Sequence, residues 1–86
     1  MIPKLKEIIT EIIGTFLLTF VVLTTHNYLA IGAILAIAVY LTGGTFNPAV
    51  AIAQMLNNEF SANDLVIRIV SQIIGAICAF YSTKLI

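Results

Sequence analysis

The sequence predicts an all-α membrane protein with three transmembrane helices and one re-entrant half-helix. Three observations carry that prediction. The chain is 60% hydrophobic and only 9% charged, with a mean hydropathy of +1.09, too few charges to keep the surface of a water-soluble domain of 86 residues wet. No Asp, Glu, Lys or Arg occurs between Glu11 and Glu59. In the middle of that uncharged run, TGGTFNPAVAIAQML (42–56) breaks a helix and restarts it: Gly43 and Gly44 allow turn geometry, Asn47 is a good N-cap, and Pro48 suits the first helical position because its missing N–H is not needed there.

The first span is placed at about residues 6–25. Lys4 and Lys6 precede it at headgroup level, and Glu7 and Glu11 interrupt any reading of this segment as a signal peptide. Glu7, Glu11, Thr15 and Thr19 recur at intervals of four and share one face of the helix. Glu11 has two readings from its position. One is a residue at the headgroup boundary; the other is an internal acceptor for backbone N–H groups exposed by the bent segment, because an ionisable group within a span must find a partner.

A tight loop of Thr25, His26 and Asn27 leads into a second span at about 28–42. His26 is the only histidine and has no partner at metal-ligand spacing, so it is read as a loop or mouth residue and no metal is expected. The second helix carries Ala30, Gly32, Ala33, Ala36 and Ala38, small residues that let another backbone approach closely. The re-entrant loop and half-helix occupy 43–57. From Pro48 the restarted helix has room for about 15 Å of rise, half a hydrocarbon core, so it would end inside the membrane.

NNEFSAND (57–64) is a polar return to the aqueous surface, with Ser61 or Asn63 able to cap the third span at about 64–84. Ser71, Gly75 and Ala79 form a small-residue ridge on it, with Gln72 beside them as its one strongly polar side chain deep in the span. Arg68, four residues after Asp64, is expected to snorkel back to the surface beside it. Cys78 is the single cysteine, read as a packing residue. Residues 1–86 thus make one unit of an integral, multi-pass membrane protein. Nothing suggests a catalytic group, a cofactor or a nucleic-acid partner.

The motif GGTFNPAVAIA (43–53) after an Ala/Gly-rich helix, together with Glu11-Ile-Ile-Gly14-Thr15-Phe16 upstream and Gln72-Ile-Ile-Gly75-Ala76 downstream, resembles the major intrinsic protein family, the aquaporins and glycerol facilitators. The match runs along essentially the whole chain and corresponds to the first half of a family member, an aquaporin-like half-fold with a single NPA motif, Asn47-Pro48-Ala49. The resemblance implies that two such halves lie inverted to each other with their half-helices meeting at mid-membrane. It implies that Asn47 presents its amide to substrate oxygen, that Pro48 helps hold the half-helix junction, and that Glu11 supports the bent loop with Thr15, Gly43, Gly44, Gln72 and Gly75 in loop support and helix packing. A selectivity position falls near Asn27 or Tyr28, next to His26. The family's second motif and the arginine that follows it have no counterpart here, and the residue after Ala49 is Val50.

The expected function is passive passage of water and small neutral solutes through a pore assembled from half-length subunits, as antiparallel homodimers in two topologies that can cluster further. Lys4, Lys6 and Arg68 on one side against Lys84 on the other give only a small orientation bias. The alternatives are one half of a heteromeric channel completed by a complementary subunit, and a non-conducting membrane interaction module. Lipid is a partner in each case, and none of them is an enzyme.

Overall fold

The computed structural model describes residues 2–86; Met1, the first residue of the unit, lies outside them. Four helices follow one another: α1 (Pro3–Thr25), α2 (Tyr28–Thr42), α3 (Pro48–Leu56) and α4 (Ala62–Thr83). Each boundary has a local chemical cause. Pro3 opens α1 at its first position, and His26 closes it in the left-handed region at φ 52°. The Asn27 side chain then caps α2, its Oδ1 accepting from the N–H groups of Leu29 and Ala30 at 2.9 and 3.0 Å. Gly43 ends α2 at φ 69° and donates its N–H to the Val39 carbonyl at 2.8 Å, a left-handed stop that glycine adopts without steric cost. After the turn through Asn58, Ser61 caps α4 by accepting from the Asp64 N–H at 3.2 Å. α1 and α4 both begin a little before the spans placed at 6–25 and 64–84, since Pro3 and the Ser61 cap each start a helix.

The two long helices pack along each other and form the body of the molecule, α2 lies against α1, and α3 lies against α4. The ridge of Ser71, Gly75 and Ala79 is buried in the α1–α4 contact. Gly75 is what allows it: a Cβ there would stand 2.5 Å from the Ile12 carbonyl oxygen and 3.1 Å from the Phe16 nitrogen. Main chain meets main chain at this point, the close approach that small residues permit between membrane helices.

The distribution of polarity is inverted relative to a water-soluble protein. The largest fully buried side chains are Gln72 and Glu11, whereas Leu29, Ile37, Tyr40, Leu41, Ile77 and Tyr81 are exposed. A solvent of hydrocarbon accounts for both. α1 and α4, with 23 and 22 residues, rise about 35 and 33 Å, enough to cross a hydrocarbon core of about 30 Å, and both are apolar enough to do so. α2 has 15 residues and about 22 Å of rise. Within the chain only Ala38 of α2 is buried, and the face bearing Gly32, Ala33 and Ala36 is open, so its small residues pack against nothing in this chain.

Candidate pore site at the half-helix junction

The site is built by the five residues between α2 and α3. Gly44, Thr45 and Phe46 are buried while Asn47 and Pro48 are exposed, so the loop dives into the molecule and re-emerges at the tip of α3. Phe46 takes a left-handed conformation at φ 59°, which costs a non-glycine residue about 1–2 kcal/mol. Two contacts compensate. Its ring lies where a Cβ on Gly14 or Gly44 would stand, so two glycines from different elements form its slot. Its N–H donates to Glu11 Oε1 at 2.8 Å.

Glu11 is completely buried and is the hub of the site. Oε2 accepts from the Thr45 N–H at 2.9 Å and from Arg68 Nη1 at 2.7 Å. Oε1 accepts from the Phe46 N–H and from Gln72 Nε2 at 3.1 Å. Four donors on two oxygens match the acceptor capacity of a carboxylate. The N–H groups it takes belong to the two residues just before the α3 cap. A place for Glu11 on the surface of the chain is therefore excluded by its burial.

Arg68 corrects an expectation. It does not snorkel beside Asp64, which pairs instead with Lys4. Its guanidinium turns inward, with Nη1 also donating to Thr45 Oγ1 at 3.1 Å and Nε 3.1 Å from Glu7 Oε1. Phe60, from the α3–α4 connection, covers it with the ring centroid 4.4 Å from Cζ. The reason is that α1 offers two carboxylates one turn apart, a better match to a planar fork of donors than a single aspartate. Thr45 Oγ1 in turn donates to Gln54 Oε1 in α3 at 2.9 Å. Reading along the chain does not assign Glu7, Thr45, Gln54 or Arg68 to the site. The interval of four between Glu7 and Glu11 is a visible signal for a two-carboxylate face; nothing local marks Thr45 or Gln54.

At the tip, Asn47 Oδ1 accepts from the N–H groups of Ala49 and Val50 at 2.9 and 3.4 Å. That engagement leaves the Nδ2 amide free to donate outward. Beside it, Thr15, Thr19, Phe46, Pro48, Gln72 and Ala76 help line a cavity of about 340 Å³. Among the described residues, two buried polar atoms have neither a hydrogen-bond nor an ion-pair partner, Thr15 Oγ1 and Gln72 Oε1, and both residues line this cavity.

The structure thus gathers Glu11, Thr15, Gly44, Asn47, Pro48 and Gln72 around one junction. Gly43 forms the entry turn, Gly75 the helix contact beneath it, and Ala49 the first turn of α3. His26, Asn27 and Tyr28 are not brought there. They sit at the α1–α2 turn and the first residue of α2, at the far end of α2 from Gly43 and so about 22 Å of helix rise away, and Asn27 uses its side-chain oxygen as a cap. No group of three or more potential metal ligands occurs among the described residues.

The arrangement is a nine-residue helix lying against a long apolar one, with an asparagine amide at its tip and a buried carboxylate behind its approach loop. Residues 24–86 match the family model described as Major intrinsic protein. The chain is 36% identical to glycerol uptake facilitator protein-like 6 of Lactiplantibacillus plantarum, across 93% of this chain and 43% of that protein. It is 30% identical to Nodulin-26 of Glycine max, across 99% of this chain and 38% of that protein. It spans about two fifths of the length of these curated relatives. No solved structure matches. The chain belongs to the major intrinsic protein family, whose members are integral membrane channels and not enzymes.

Proposed function

We propose that this chain forms one half of a passive channel for water and small neutral solutes, with α1, α2 and α4 spanning the membrane and α3 re-entering from one side. The observation that carries the reading is the free Asn47 amide at the N-terminus of a nine-residue half-helix whose approach loop is fixed by Glu11. The first turn of α3 concentrates the positive end of the helix dipole at Asn47. The amide offers a neutral solute a hydrogen bond in place of those it leaves in water, while the dipole disfavours cations and protons.

A pore needs a second wall. An open helix face supports an inverted second half packing against this one. The small-residue face of α2 at Gly32, Ala33 and Ala36 is open to another helix. In this reading the second half is an antiparallel copy of the chain, and the assembly contains both topologies.

Reconstitution tests the reading. Proteoliposomes holding the purified chain are expected to shrink faster than empty vesicles under an osmotic step, and cysteines added at either terminus to be labelled from both sides of intact vesicles. Single-sided labelling with conduction only when another chain is added would replace the homodimer by a complementary subunit. No conduction by an assembled protein of single topology would leave a membrane interaction module instead. At the tip, Asn47→Asp keeps the cap, since aspartate caps as well as asparagine, but removes the donor and adds a negative charge. Water passage is expected to fall and cation entry to rise; an unchanged permeability pattern would place Asn47 away from the pore.

A further inference from the structure

Outside the half-helix itself, the strongest unexplained feature is the ion cluster at its base. Glu11 places a carboxylate on the N–H groups of Thr45 and Phe46, the two residues preceding Asn47. A negative charge there works against the positive potential that the α3 N-terminus supplies. Glu7 adds a second carboxylate on the same face. Among the described residues, Arg68 is the one cation in contact with both, at 2.7 Å from Glu11 and 3.1 Å from Glu7, and its side chain is only 19% exposed. Formal charge for Glu7, Glu11 and Arg68 is therefore −2 + 1 = −1, where the two carboxylates without it would give −2.

The geometry points to Arg68 as a positioning residue that sets cation exclusion in the proposed channel. It offsets the carboxylate charge behind Asn47 and, through Nη1, braces Thr45, whose hydroxyl holds Gln54 of α3. It touches no solute. It acts through Glu11 and Thr45 on the potential and orientation of the half-helix tip. Lysine cannot reproduce the arrangement, because one ammonium cannot present the planar fork that reaches Glu7, Glu11 and Thr45 together. The assignment rests on the channel reading above, and its test has a separate arm for that reading.

The test measures water and K⁺ permeability in proteoliposomes of the full chain, with amide exchange at Thr45 and Phe46 followed alongside. Arg68→Gln takes the formal charge to −2. Glu7→Gln/Arg68→Gln, leaving Glu11 alone, returns it to −1. Arg68→Gln is expected to keep passing water while its K⁺-to-water permeability ratio rises about tenfold, a factor equivalent to ~1.4 kcal/mol. The double variant is expected to bring that ratio back to within about twofold of wild type. Both are expected to exchange the Thr45 and Phe46 amides faster, since both lose the brace. A folded Arg68→Gln with the wild-type ratio overturns the assignment, as does a double variant as leaky as the single one. If Arg68→Gln does not fold, Arg68→Lys, which keeps the charge at −1, decides: a wild-type ratio with faster exchange supports it, and a leak equal to that of Asn47→Asp overturns it. A wild type that passes no water removes the channel reading itself, and this assignment with it.

Discussion

Replacing Glu11 by alanine is expected to destabilise the fold by about 3–5 kcal/mol, the range for removing one partner of a buried, hydrogen-bonded charge pair. Four donors converge on this side chain: the N–H groups of Thr45 and Phe46, Arg68 Nη1 and Gln72 Nε2. Alanine leaves the backbone N–H groups of two buried residues, Thr45 and Phe46, without this acceptor, and leaves Arg68 with Glu7 and Thr45 as polar partners. The loss falls on a strained segment. Phe46 is held in the left-handed region partly by its bond to Glu11, so without it the loop can relax and carry the Asn47 cap with it. Glu11→Gln is expected to cost less, because one amide oxygen still accepts, although its NH₂ then faces donors. Thermal or denaturant unfolding in detergent reads both, and a Glu11→Ala variant within about 0.5 kcal/mol of wild type would mean that the loop is held by something else.

The second large effect is expected at Gly75. A side chain added there would place its Cβ 2.5 Å from the Ile12 carbonyl oxygen and 3.1 Å from the Phe16 nitrogen, a collision with backbone and not with a side chain able to turn away. Gly75→Val must push α4 off α1. Overpacking of this kind costs about 1–3 kcal/mol, and here the displacement also lengthens the bridge from Gln72 and Arg68 on α4 to Glu11 on α1. The variant is expected to lose stability and to speed amide exchange at Thr45 and Phe46 together, so that a helix contact reports on a loop. Gly14→Ala probes the same region from α1, since there the obstacle is the Phe46 ring that Gly14 and Gly44 enclose. A Gly75→Val protein with wild-type unfolding and wild-type exchange would contradict the close α1–α4 approach.

Much of the architecture is legible residue by residue because its causes are local. Gly43 at positive φ, Asn47 and Ser61 as caps and Pro48 at a first helical position each act within a few residues, and an uncharged run from Glu11 to Glu59 states its solvent without reference to any contact. The motif around Asn47 carries the family in the same way. Arg68 is where local reasoning fails. Asp64, four residues away, is its obvious partner on an isolated helix, but Lys4 takes that carboxylate in the folded chain. Phe46 gives no sign of a left-handed backbone in the sequence, because a glycine that makes room for its ring, Gly14, is in another helix.

The sequence by itself determined the solvent, the order of the helices, the break between α2 and α3 and the residue at its tip, since these follow from hydropathy and backbone chemistry within one or two turns. Only the tertiary structure decided how that tip is held. The register of α4 on α1, set where Gly75 meets the Ile12 carbonyl, determines which face of α4 looks at Glu11. Only that register aligns Arg68 and Gln72 with one buried carboxylate, because a hydrogen bond between residues 57 and 61 positions apart exists only after two backbones have packed.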